Sequence, residues 1–193
     1  MSILKANVLI FLNKALRRTE TDIDIYIQTC LNDLANSNLL LGQDTDQALE
    51  SGDLTLDYPT DFKKLNTITL INDSSVRDKP LRKLPGGHRQ YLKLRESDSA
   101  TGTPEWFSEY NKKFHLWRPA NGDYTTEIEY FRHHPQDVSD ILFGDEFINA
   151  VNFGTTFWFA TMTNLKEYED KWGPIYSNER LMREACFEIQ PSI

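Results

Sequence analysis

Between residues 54 and 131 apolar side chains recur at every second position; before and after that block they recur at every third or fourth. No single type of secondary structure serves both rhythms. Leu54, Leu56 and Tyr58 alternate with polar partners, as do Phe114 and Leu116, and then Tyr124, Thr126, Ile128 and Tyr130. Successive side chains of a strand leave opposite faces, so this pattern describes half-buried strands. Asn121-Gly122 offers the two positive φ angles of a tight hairpin turn between the last two runs. The fold class that follows is α+β: a helical bundle formed by N- and C-terminal helices, with an inserted antiparallel β module.

The helical rhythm opens over residues 3–17, where Leu4, Val8, Leu9, Phe11, Leu12, Ala15 and Leu16 surround most of the circumference. Such a helix is expected deep among other elements. Thr19 or Thr21 can cap the next helix, whose Ile23, Tyr26, Ile27, Cys30, Leu31 and Leu34 form a stripe at spacings of three and four. Residues 36–53 read as a turn and a weakly structured crossing. Strands are expected near 54–58 and 65–71, a short helix at 88–94 behind Pro85-Gly86-Gly87, and a polar loop at 96–104.

Beyond a connector, helical periodicity spans 145–171, with Phe147, Val151, Gly154, Trp158, Met162, Leu165, Tyr168 and Trp172 on its main apolar face. Gly154 either permits a close helix approach or weakens the helix by about 1 kcal/mol relative to Ala. Gly173-Pro174 is expected to end this helix. Ser177 or Asn178 then caps a final one carrying Leu181, Met182, Ala185, Cys186 and Ile189 along one side.

A chain of 193 residues, with no repeat or long linker, reads as one domain spanning 1–193. Its parts are N-terminal helices at 1–36, the β module at 54–131 and C-terminal helices at 145–189. The two cysteines, Cys30 and Cys186, fall at apolar helical positions and read as buried free thiols, the usage of a reducing compartment. The apolar run Val8 to Leu12 is too short for a membrane span, and no cleavage pattern follows it; neither anchor nor signal is expected.

The net charge of −8 conceals strong segregation. Residues 1–18 hold Lys5, Lys14, Arg17 and Arg18 and no acid. Residues 19–61 hold ten acids and no Lys or Arg. Between 77 and 95 the sign reverses: Arg77, Lys79, Arg82, Lys83, Arg89, Lys93 and Arg95 face Asp78 alone. Such runs either neutralise one another over a solvated surface or form unlike patches that meet between subunits. In the second reading Asp44, Asp46, Glu50, Asp53 and Asp57 make an acidic face and the residues of 77–95 a basic one. A contact between unlike patches is head-to-tail and can close into a ring.

Catalytic motifs are lacking. His133 and His134 are adjacent and point to opposite faces of a strand, so they cannot grip one metal together; His88 and His115 read as exposed or hydrogen-bonded. Gly86-Gly87 matches no phosphate-binding fingerprint and reads as a turn. The basic stretch with Tyr91 could touch phosphate, but the acidic total and the lack of a binding module stand against nucleic-acid binding. No catalytic residue, metal or cofactor is expected.

Several phrases then fall in a telling order: Pro59 to Leu65, Pro80-Leu81-Arg82, Gly102 to Trp106, Leu116 to Tyr124, and Tyr130-Phe131. In order and spacing they resemble the head-to-tail adaptor (connector or head-completion) proteins of tailed bacteriophages. The resemblance implies a non-enzymatic virion protein at the head–tail junction, made in the host bacterial cytoplasm. It implies a homo-oligomeric ring of about twelve copies beneath the portal protein, extending the DNA channel and presenting a platform to tail nozzle or tail-tube proteins. DNA would pass without sequence-specific binding, and no membrane is involved. Phe187, Ile189, Pro191 and Ile193 form an apolar end that either docks on the portal or frays in water. Competing readings are another virion interaction subunit, such as a tail terminator, and a small enzyme acting on the phage genome.

Overall fold

The computed structural model describes residues 3–72 and 79–188. The chain runs α1 (Lys5–Leu16), α2 (Asp24–Asn36), β1 (Leu41–Asp44), β2 (Ala48–Leu49), β3 (Thr55–Asp57), β4 (Phe62–Asn72) and β5 (Arg82–Lys83). Helix α3 (Gly87–Ser97) precedes β6 (Trp106–Tyr110), β7 (Lys113–Trp117) and β8 (Tyr124–Arg132). A 3₁₀ turn at Asp145–Phe147 leads into α4 (Ile148–Met162), and α5 (Lys166–Glu188) follows. The fold is α+β. It divides into two compact units, Met1–Leu40 with Arg132–Ile193, and Leu41–Phe131.

In the helical unit α1, α2, α4 and α5 share one core. Helix α1 buries Val8, Leu12 and Leu16, one residue per turn, but leaves Leu4 and Ile10 more than half exposed. Its buried stripe is therefore narrower than its all-round apolarity predicts. Helix α2 buries Ile27, Cys30, Leu31, Leu34 and Ala35, as its periodicity requires. Its cap differs from expectation: the chain stays non-helical through Ile23, and Asp22 Oδ1 accepts the Asp24 N–H at 3.4 Å. Thr19 and Thr21 lie too far upstream to serve.

Helix α4 packs against α1, α2 and α5. A Cβ added at Gly154 would collide with Cys30 Sγ and lie 2.6 Å from Tyr176 Cε2. Gly154 thus permits the close approach of α2 and α5 to α4, which decides between its two readings. The helix expected over 145–171 is in fact two. Asn164 adopts a left-handed φ of 57°, the Leu165 N–H donates to the Ala160 carbonyl (2.8 Å), and the Asn164 N–H donates to that of Thr161 (3.3 Å). This pair of bonds ends a helix by the Schellman arrangement. Helix α5 then runs unbroken through Gly173-Pro174, so neither Ser177 nor Asn178 caps a helix. Proline removes one bond, to the carbonyl of exposed Asp170, and the remaining ladder and the packing of α5 carry the helix across it. Only Cys30 is buried; Cys186 is exposed on α5, and both are free. Leu181 and Met182 are likewise exposed.

In the β unit, β8 organises one sheet. It pairs antiparallel with β1 from Leu41↔Phe131 to Asp44↔Ile128, and with β2 at Ala48↔Thr125 and Leu49↔Tyr124. Strand β4 pairs with β8 as well. The second sheet has the order β3-β7-β6-β5, with β5 parallel to β6. Both sheets contribute to one core that includes Leu49, Ile68, Phe107, Phe114 and Leu116. The Asn121-Gly122 hairpin does not form, because β7 and β8 belong to different sheets. The tight turn instead joins β6 to β7, where Asn111 and Lys112 hold φ of 49° and 58°. Asn121 accepts the Tyr124 hydroxyl (2.8 Å), and the Ala120 carbonyl takes the Gly52 N–H (2.8 Å).

Candidate functional site

Several groups with catalytic potential are buried or held in packing contacts. Ser108 Oγ meets His88 Nδ1 at 3.2 Å, but Ser108 is fully buried under α3. His88 stacks on Tyr110 (4.2 Å between centroids) and touches His115 (4.6 Å), so these rings are packing between α3 and the sheet. Burial, and then His88, hold the His115 imidazole below its ordinary pKa. His134 is buried, with Nδ1 donating to the Pro135 carbonyl (2.8 Å) and Nε2 accepting the Leu142 N–H (3.2 Å). Its tautomer is fixed by two backbone groups, and burial lowers its pKa. Burial also pushes the Cys30 thiol up to about 12, which removes it as a nucleophile. Among the described residues no cluster of three or more His, Cys, Asp or Glu could hold a metal, and no helix is long and apolar enough to cross a membrane.

What the β unit does assemble is charge at its margins. The segment joining β1 to β2 folds on its own carboxylates. Asp44 accepts the Asp46 N–H (3.0 Å) and Gln47 Nε2 (2.7 Å), while Asp53 accepts the Glu50 N–H (2.8 Å). Gln47 exchanges two 3.0 Å bonds with the backbone of Asp57, tying this segment to β3 across the two sheets. That side chain covers the outer backbone groups of an edge strand. The structure brings Asp44, Asp46 and Asp57 together around Gln47, with Glu50 and Asp53 on the following turn. Lys113 offsets Asp57 (2.9 Å).

The opposite margin is basic. Strand β5 is the far edge of the second sheet from β3, three strand spacings or about 14 Å away. In the first sheet β1 occupies one edge of β8 at residues 128–131. The contacts of Asn66 with Glu129 (3.3 Å) and of Lys64 with Phe131 (5.8 Å) therefore place β4 on the other edge. The Leu81 N–H donates to the Ile68 carbonyl (2.8 Å), joining the approach to β5 onto β4. Between these edges runs a groove of about 420 Å³ lined by Lys63, Lys64, Asn66, Leu81, Lys83 and Phe107, among others. Glu109 pairs with Lys83 (3.1 Å) at its margin. Burial, and then neighbouring Lys64, hold the Lys63 amine below its usual pKa.

The described basic residues of 79–95 are distributed over β5, its approach and α3. Arg82 lies over Trp106 (5.7 Å) and Lys83 borders the groove. Arg89 and Lys93 line a separate depression with Gly86 and Gln90. Arg95 is half-buried, Lys79 is exposed, and Arg77 lies outside the described residues. Phe187 falls in the last turn of α5, and Ile189, Pro191 and Ile193 lie outside the described residues. Sequence reasoning missed Lys63, Lys64 and Gln47. Only the pairing of β4 with β8 and of β3 with β7 gives these residues neighbours, and a single sequence holds no signal of it.

Residues 2–152 match the family described as SU10 adaptor protein. The chain belongs to that family. No curated protein matches it. The SU10 adaptor family is a phage head-to-tail adaptor family, so the protein is a structural phage component of the head–tail junction. The match covers the whole β unit of the adaptor with its two charged margins, and stops short of α5.

Proposed function

We propose that this adaptor forms a ring that joins the portal to the tail and extends the DNA channel, with both compact units acting as one adaptor domain. Membership of the family supports the virion role. The single observation that carries self-assembly is the segregation of acid and base to opposite edges of both sheets. Unlike patches on one molecule make a head-to-tail contact, and such contacts close into rings when the rotation permits. The family's ring would hold about twelve copies, and their shared negative charge would let DNA pass without being held. The protein acts as a shaped part and performs no catalysis in this reading.

The C-terminal segment containing Phe187, Ile189, Pro191 and Ile193 docks on the portal. Exposed Leu181, Met182 and Cys186 on the preceding turns of α5 give that segment an apolar lead-in. Mass measurement in solution, with and without purified portal rings, tests the reading. Assembly of the adaptor on the portal is the expected result, and a monomer under both conditions would refute it. Deleting residues 187–193 is expected to weaken portal binding; unchanged binding removes the docking assignment.

A further inference from the structure

We propose that α3 is an acid-released cover on the second sheet, held by the side-chain rings around His88 and His115 and lifted when both imidazoles carry charge. The device lies within the β unit and is independent of the assembly proposed above. Helix α3 packs against β6 and β7, on the face of that sheet turned away from the shared core. Phe107, Phe114 and Leu116 point into the core, so the alternate residues Ser108, Tyr110 and His115 face α3. The helix brings little apolar surface to this contact, since Tyr91 alone of its side chains is buried. What joins it to the sheet is the cluster of rings. His88 stacks on Tyr110 and, at 5.2 Å, on Tyr91, and Tyr91 lies 5.4 Å from His115. Ser108 is fully buried and its Oγ meets His88 Nδ1, so lifting the helix also strips a buried hydroxyl of that partner.

The two imidazoles sit with centroids 4.6 Å apart. The charges acting on His115 are those of His88 and Lys113, and both oppose its protonation; the Tyr110 carbonyl, accepting from Nε2 at 3.3 Å, favours it. Lys113 is offset by Asp57 of β3 (2.9 Å), and Arg95 acts on Tyr91 from the last turn of α3. Glu109 is turned to the other face of β6, where it pairs with Lys83 (3.1 Å). Burial, and then His88, hold the His115 imidazole below its usual pKa, so the protein binds that proton more readily with α3 lifted than with α3 closed. Closure is fully supported above about pH 6.5 and loses that support as the pH falls toward the folded value. Gly86-Gly87 gives slack at the end where His88 sits, with Gly87 at a φ of 58°, while Asp98 just past the far end is tied to Arg118 (2.9 Å). A lifted helix this short is marginal in water and frays.

The test is hydrogen exchange of the full-length protein, read by mass spectrometry as protection of the α3 amides against an unfolded reference at each pH. Between about pH 7.5 and about pH 5, α3 protection is expected to fall about tenfold or more while β7 and β8 keep theirs. His115→Phe keeps a ring and removes the titrating group, and its α3 protection is expected to change less than about twofold over that range. Lys113→Gln removes a charge that opposes protonation in the closed state and is expected to shrink the fall. That second variant decides the matter where phenylalanine does not seat α3 at neutral pH. His134→Gln, in the helical unit, is expected to leave the fall unchanged. Equal α3 protection at both pH values in the wild type would refute the cover, as would an equal fall in the wild type, His115→Phe and Lys113→Gln. Parallel loss from β7 and β8 would refute it too, by assigning the response to unfolding of the whole β unit.

Discussion

Single residues fix the helical unit more sharply than its many large side chains do. At Gly154 the absence of a Cβ lets Cys30 and Tyr176 approach α4 from two helices. Gly154→Ala is therefore expected to destabilise the protein by about 1–3 kcal/mol, the usual cost of overpacking, as measured by chemical denaturation. Gly122→Ala, where an added Cβ meets nothing within 4 Å, is the matched control and is expected to change little. His134 makes the same unit sensitive to acid. Its folded pKa lies below that of the unfolded chain, so the unfolded state binds the proton first. The contribution is complete above about pH 6.5 and is lost as the pH falls toward the folded value. A thermal melting series from neutral to acid pH is expected to show that decline, and His134→Gln is expected to reduce its slope.

At the scale of elements, legibility depended on how local the deciding interaction was. The stripe of α2 is written in its spacing, and Ile27, Cys30, Leu31 and Leu34 are all buried. The strand block was legible for the same reason. Breaks were not. Gly173-Pro174 looks like a stop, yet the helix ends before Asn164, where a left-handed residue followed by apolar Leu165 completes the end bonds. Asn121-Gly122 looks like a hairpin, yet Asn111-Lys112 makes it, although lysine has no preference for positive φ. At the hairpin, strand pairing set by distant elements outweighed local preference. Lys112→Gly is accordingly expected to stabilise the protein by about 1 kcal/mol, since glycine takes that conformation without a Cβ clash. A denaturation midpoint that falls would show that the lysine side chain supports the turn. The charged margins were half legible. The acids of 44–57 are close in sequence and close in space, whereas the described basic residues of 79–95 are divided between β5, its approach and α3, and Lys63 and Lys64 join Lys83 only through the fold.

At the scale of the whole molecule, the account turns on two margins of one β unit having opposite charge. A molecule built so cannot neutralise itself across its own sheets, but a circle of copies can. Added salt is expected to weaken assembly of the wild type, because exposed charge pairs are screened over about 8–10 Å near physiological ionic strength. The family match includes both margins, and the exposed apolar turns of α5 fall beyond it. In the proposed reading the contact between copies falls in the shared part of the chain and the contact with the portal at its C-terminal end. Carbodiimide cross-linking of a ring mixed from isotopically light and heavy copies, read by mass spectrometry, addresses the central claim directly. The account predicts amide links between the carboxylates of residues 44–53 of one copy and the lysines of β4 and β5 of another, carrying one light and one heavy peptide. Links confined within single copies, or joining those carboxylates to lysines away from that margin, would contradict it.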